Sequence, residues 1–196
     1  MEFTHLHVHT EYSLLDGSNK IKEYVARVKE LGMDNAAITD HGVMYGVIDF
    51  YRAARAEGIN PILGCEVYVA PGSRFDREAG SGEDRYYHLV LLAENNQGYA
   101  NLMKIVSKGF TEGFYYKPRV DLAVLKEYHE GIIALSACLA GEVARYLQRG
   151  MYEDAKAAAL RYQDIFGKGN FFLELQDHGI PAQRLVNQEL LRMHEE

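Results

Sequence analysis

The sequence predicts an α/β fold, either an α/β barrel or a doubly wound sheet, on three observations. Short apolar strand-like runs alternate with amphipathic helical patterns along the whole chain. Apolar residues make up 47% and charged residues 25%, ordinary values for a protein able to build a sizeable core. No repeat, low-complexity tract or Pro/Gly/Ser linker divides the 196 residues, so 1–196 reads as one domain.

The first predicted strand is FTHLHVH at 3–9, where Phe3, His5, His7 and His9 alternate and therefore share one face. A helix follows in KIKEYVARVKELG, where Ile21, Tyr24, Val25, Val28 and Leu31 recur at helical spacing and Gly32 supplies the stop. NAAIT (35–39) and PILGCEVYVA (61–70) are the next strands, with a helical pattern at 44–57 between them. Residues 71–85, polar and Gly-rich, form a surface loop leading to the strand YYHLVLLA (86–93). A helix at 96–108 precedes the strand GIIALSA (131–137). Helices at 139–149 and 151–166, the strand FFLELQ (171–176) and a helix at 181–195 complete the pattern. A barrel of this kind closes with seven or eight strands. Six are visible and the chain stops on a helix, so it reads as cut short.

Composition excludes several classes. No run of 18 apolar residues is available for a membrane span, and MEFTHLHVHT lacks the features of a secretory signal. Two cysteines, Cys65 and Cys138, argue against a disulfide scaffold and for a reducing cytoplasm. The net charge of −7 speaks against charge-driven nucleic-acid binding over the whole surface, though not against a local basic groove. No GxxxxGKS, GxGxxG or CxxC motif and no nucleophile elbow is present.

The chemistry is written where polar residues end or interrupt apolar strands. His7 and His9 stand on one face of the first strand, and Asp16 lies in the following SLLDG loop. Asp40 and His41 follow the second strand, Glu66 sits inside GCEVYV, and His88 interrupts YYHLVLLA. Cys138 follows the fifth strand and His178 the sixth. An unpaired carboxylate such as Glu66 is costly to bury, and a cation removes that cost. Each residue has a plainer alternative: Asp16 and Asp40 as turn or cap acceptors, Cys138 as a small hydrophobe, His178 as a supporting residue. Cys65, on the opposite strand face from Glu66, reads as a buried hydrophobe, and His129 and His194 as solvent-exposed. Together the His/Asp/Glu/Cys set suits Zn²⁺, Mn²⁺ or Fe²⁺ better than Mg²⁺. It exceeds what one zinc needs, which points to a multinuclear hydrolase site of the phosphoester type.

HVHT (7–10), ITDHG (38–42), GCE (64–66) and the histidine of YYHLVLLA together resemble the PHP (polymerase and histidinol phosphatase) domain family. FTHLHVHTEYSLLDG, ITDHGVMYGVIDFY, GFYYKPRVD, LSACLAGE and FFLELQDHGIP resemble the branch found at the N-terminus of bacterial replicative DNA polymerase III alpha subunits. The resemblance runs over essentially the whole chain. It implies a distorted (β/α)7 barrel and a site for up to three ions, Zn²⁺ or Mn²⁺. The family's ligand pattern falls on His7, His9, Asp16, His41, Glu66, His88 and Cys138. The family adds an Asp and a His from a later Asp-x-His motif, and none occurs before Glu196. The chain is therefore expected to lack the last barrel strand, two ligands, and the palm, fingers and thumb of a polymerase.

The resemblance further implies membership of a DNA-directed DNA polymerase, with DNA and other holoenzyme subunits as partners and no membrane association. It implies a metal-dependent 3′–5′ exonuclease used in proofreading, with no catalytic group beyond a metal-bound hydroxide. That activity is expected to be weak or absent in this stretch alone. Lys117 and Arg119, in a YYKPRVD loop, are candidates to contact substrate phosphate. Two other readings stand beside this one. The first is a non-catalytic, metal-stabilised module that docks the polymerase core or a proofreading subunit. The second is a stand-alone phosphatase acting on a small phosphomonoester.

Overall fold

The computed structural model describes residues 3–78 and 85–196. Residues 79–84, within the loop expected at 71–85, lie outside the described residues. Among the described residues seven strands form one sheet: β1 (Asn35–Ile38), β2 (Asn60–Val69), β3 (Tyr87–Ala93), β4 (Phe114–Tyr115), β5 (Lys117–Val120), β6 (Ile132–Leu135) and β7 (Phe171–Phe172). The order is β4-β5-β2-β3-β6-β7, with β1 paired in parallel to the first residues of β2. The α/β architecture expected from the strand–helix alternation is present.

The sheet is nevertheless mixed rather than built only from parallel units. β3 runs antiparallel to both β2 and β6. The reason lies in its connection: no described helix crosses over between β2 and β3, and a chain that returns through a loop returns antiparallel. The expected first strand at 3–9 also differs, because it joins no ladder. Its backbone is held instead by Thr39 N–H donating to the Val8 carbonyl (2.9 Å) and by Val8 N–H donating to Thr39 Oγ1 (2.7 Å). β7 is shorter than FFLELQ because Glu174 N–H donates to Ser136 Oγ (2.8 Å) and the Gln176 carbonyl accepts from Asn187 (2.7 Å), outside any ladder.

Helices α1 (Ile21–Glu30) and α2 (Val47–Ala56) bury Val25, Val28, Phe50 and Ala54 against Ile38 of β1. Helix α3 (Asn96–Thr111), capped by the Asn95 side chain accepting from Gly98 N–H (3.0 Å), packs Leu102 and Ile105 on Cys65, Val67, Leu89 and Leu91. The same core takes in α4 (Leu122–Glu127) and α6 (Tyr152–Phe166). Helices α5 (Glu142–Gln148) and α7 (Pro181–Glu195) close a further cluster with α6. Strand alternation then decides where the polar residues go. With Cys65 and Val67 turned to the α3 side, Glu66 and Tyr68 take the opposite face, and the β2–β3 register sets Tyr68 opposite His88.

Candidate metal centre

Glu66 is fully buried, and four imidazoles converge on its carboxylate. His88 Nδ1 lies 2.8 Å from Oε1 and His41 Nδ1 2.5 Å from Oε2. His7 Nε2 stands 3.3 Å from Oε1 and His9 Nε2 3.4 Å from Oε2. The backbone holds Glu66 in place from both directions: its N–H donates to the Asp40 carbonyl (3.1 Å) and its carbonyl accepts from Gly42 N–H (2.8 Å).

The N-terminal segment is tied to this point by Asp40. Its carboxylate accepts from Thr10 N–H (2.6 Å), Thr10 Oγ1 (2.7 Å) and Ser13 Oγ (2.8 Å). Asp40 is thus an acceptor that fixes the loop, the plainer of the two roles its position suggested. Ser13 Oγ in turn lies 3.0 Å from His9 Nδ1, which leaves His9 Nε2 facing Glu66 and 3.2 Å from His7 Nε2. The other nitrogen of His7 meets Glu174 Oε1 at 2.7 Å, and Gln176 Nε2 donates to that same oxygen (2.6 Å). Such outer partners fix which nitrogen a histidine presents to a cation.

All seven ligand positions expected from the sequence come together. Beyond the four histidines and Glu66, Asp16 Oδ2 lies 2.8 Å from His41 Nε2 at an exposed edge. Cys138 Sγ sits 3.6 Å from His88 Nδ1 and 3.8 Å from Glu66 Oε1. Glu174 is the member the sequence reading passed over. Its signal was available, since a glutamate interrupts apolar FFLELQ just as Glu66 interrupts GCEVYV.

The remaining candidates lie elsewhere. His5 is exposed and packs edge-on against Phe3, His178 is exposed, and Cys65 is a fully buried thiol. Lys117 reaches the rim, with Nζ 5.4 Å from the centre of the Tyr68 ring. Arg119 corrects the expectation of a phosphate contact. It is completely buried, and its guanidinium donates to the backbone carbonyls of Gly113, Arg85, Arg74 and Asp76. Those carbonyls take the place of an anion and make Arg119 a clamp between loops.

Charge is unevenly held across the cluster. Burial alone would raise the Glu66 carboxyl, but the His41, His7 and His88 imidazoles around it bring it well below the usual range. Burial would lower His7, yet Glu174 and Glu66 outweigh it and push the imidazole up to about 10. His9 goes the other way, down to about 4, because burial and the neighbouring His41 and His7 outweigh the pull of Glu66. His41 is raised by Glu66 and Asp16 against its own burial. Burial and the nearby Glu66 charge push the Cys138 thiol up to about 12.

This donor set fits divalent cations. His7, His9 and Glu66 form one group, and His41, Glu66 and His88 another, each with its ligand atoms within 4.8 Å of one another. Glu66 belongs to both, as a carboxylate bridging two ions does. Within this cluster three of the buried polar atoms (His41 Nδ1, Glu66 Oε2 and Glu174 Oε2) have no hydrogen-bond partner, which leaves room for a cation among them. Imidazole, carboxylate and thiol are together donors for a divalent transition-metal ion.

A family model of the PHP domain matches residues 5–178. The chain belongs to the PHP domain family. This PHP domain is 48% identical over 193 residues to the DNA polymerase III subunit alpha of Treponema pallidum, covering 98% of the chain and 16% of that protein. It is 47% identical to the subunit of the same name from Deinococcus radiodurans, covering 95% of the chain and 14% of the relative. The PHP domain therefore spans about a sixth of the length of the curated relatives it matches. A solved structure from Bifidobacterium adolescentis, described as a proposed metal-dependent phosphoesterase, superposes with a TM-score of 0.53 at 13% identity. The match covers 98% of this chain and 84% of that one, which shows a shared fold. No helix among the described residues is long and apolar enough to cross a membrane.

Proposed function

We propose that this PHP domain, taken as residues 1–196, is a metal-dependent phosphodiesterase site within a replicative DNA polymerase alpha subunit, removing nucleotides from DNA 3′ ends. The observation that carries the reading is Glu66, a buried carboxylate shared by two three-ligand groups. Divalent cations held there, Zn²⁺ or Mn²⁺, would supply an activated water and neutralise charge on the phosphoryl oxygens. The chain's own residues do the positioning. Glu174 and Gln176 fix His7, Ser13 fixes His9, and Asp40 fixes the loop that carries both. Asp16 and Lys117 stand at the open side, where a phosphodiester strand enters. The names of the relatives support DNA as substrate and other polymerase subunits as partners, and the cytoplasm as location rests on the cysteine usage.

The test is release of mononucleotides from 3′-labelled single-stranded DNA by the whole alpha subunit that carries this domain, reconstituted with Zn²⁺ or Mn²⁺, since the activity is expected to be weak or absent in residues 1–196 alone. Metal-dependent release that His9→Ala abolishes supports the reading. Intact DNA ends in a protein that holds two or more ions per chain would instead favour a metal-stabilised docking module. Turnover of small phosphomonoesters with DNA left intact would favour a phosphatase.

A further inference from the structure

We infer that the tip of the β4–β5 hairpin, Tyr116 and Lys117, is the element that grips single-stranded DNA beside this centre. The Tyr116 ring stacks on a base and Lys117 Nζ takes a backbone phosphate. The inference rests on the phosphodiesterase reading above and names how its substrate is held.

Placement comes first. Tyr115 pairs with Lys117, so Tyr116 alone forms the turn. Two contacts seat this hairpin next to a metal-ligand position. Gly42 follows His41, and a Cβ there would meet the Tyr68 ring at 2.8 Å and Pro118 Cγ at 3.0 Å. The missing side chain is what lets the strand after Lys117 press against the His41 loop. The Tyr68 ring lies beneath Lys117 and is itself flanked by His41 (6.2 Å, near parallel) and His88 (5.3 Å, edge-on). One aromatic ring thus separates the ammonium from two imidazoles of the centre.

Conformation is the second observation. Tyr116 has φ +61°, a left-handed conformation that bulky residues rarely adopt, and its side chain is 62% exposed. An exposed aromatic in a strained turn contributes little to folding, and such strain clusters where a surface acts on a ligand. The ring is held in place: the Arg85 guanidinium lies over it, 4.0 Å from its centre. Below it, buried Arg119 packs 5.0 Å from the Tyr115 ring and bonds to the surrounding carbonyls, which makes the hairpin rigid.

The chemistry that fits is a strand with unpaired bases. Aromatic rings interleaved with cations bind single-stranded nucleic acid through stacking and phosphate contacts. A chain of net charge −7 does not attract DNA over its whole surface, so a local grip is needed.

Binding of a fluorescein-labelled oligothymidylate to the metal-loaded protein, followed by anisotropy, tests this. Tyr116→Gly is the informative variant, because glycine accepts the left-handed turn and its thermal midpoint should not fall. It should weaken binding about tenfold, while Tyr116→Phe stays near wild type. Lys117→Ala should weaken binding and lower the slope of log K against log salt by about one. Equal affinity in Tyr116→Gly and wild type, or no binding by the wild type, overturns the inference. Hydrolysis of bis(p-nitrophenyl) phosphate by the whole alpha subunit that carries this domain, loaded with the same metal, is measured alongside. Its absence would overturn the phosphodiesterase reading, whatever the binding data show.

Discussion

Glu66 Oε2 and His41 Nδ1 lie 2.5 Å apart, yet neither atom has a hydrogen-bond partner in line with it. The distance suits a bond and the direction does not. Both atoms are buried and belong to one group of residues that could hold a cation. Glu66→Gln keeps the size of the side chain and removes its charge, so it should lower Zn²⁺ affinity by at least about 100-fold. Elemental analysis of the variant, equilibrated with the ion beside wild type, checks this. Retention of the wild-type ion count would show that Glu66 bridges nothing.

The raised His7 imidazole sets the pH dependence of loading. Without a cation it is protonated below about 10, so metal must displace that proton. Affinity should fall about tenfold per pH unit lost, for each proton released, as pH drops from 9 to 6. Glu174→Gln removes the carboxylate that raises His7, which lets burial bring it down and flattens the profile. Zn²⁺ titrations against a chelating dye at several pH values measure both slopes. Equal slopes in variant and wild type would contradict the coupling.

Cys138 sorts the metals. Its thiol, pushed up to about 12, is neutral until a cation strips its proton, and thiolate sulfur prefers zinc to manganese. Cys138→Ser should therefore weaken Zn²⁺ binding by about tenfold or more and leave Mn²⁺ binding within about threefold. Competition titrations with both ions decide it. An equal loss for both would remove Cys138 from the ligand set.

Away from the centre, Asp121 contributes to acid stability. It caps α4 by accepting from Val124 N–H (3.1 Å), and it accepts from Arg74 N–H (2.9 Å) and the Arg74 guanidinium (3.0 Å). Burial would raise its carboxyl, but these donors hold it below the usual range. Since the folded value lies below the unfolded one of about 3.9, the stabilisation is present above that pH. It is lost as pH falls through the folded value. Asp121→Ala should cost about 2 kcal/mol at pH 7 in urea unfolding. The difference from wild type should shrink toward pH 3, and a gap independent of pH would refute the charge argument.

Much of the cluster was legible because several of its residues end or interrupt apolar runs, which the sequence displays directly. His7, His9, Asp16, His41, Glu66, His88 and Cys138 stand close together in the structure. What escaped was short or directional. β4 and β5 have two and four residues, with Pro118 and two cations among them, too little for a period to show. No pattern of side chains records which way a strand runs, so the reversal of β3 had to come from the loop before it. Arg119 shows the other limit. A cation beside exposed residues reads as an anion contact until its carbonyl partners, distant in sequence, are seen.

The double membership of Glu66 also bears on how the centre can decay. Loss of His88 leaves His7, His9 and Glu66 intact as a trio, and loss of His9 leaves His41, Glu66 and His88. If each trio holds one cation, descendants of this chain could drift through a one-ion intermediate that its remaining cation would still stabilise. Only a change at Glu66 closes both routes in a single step.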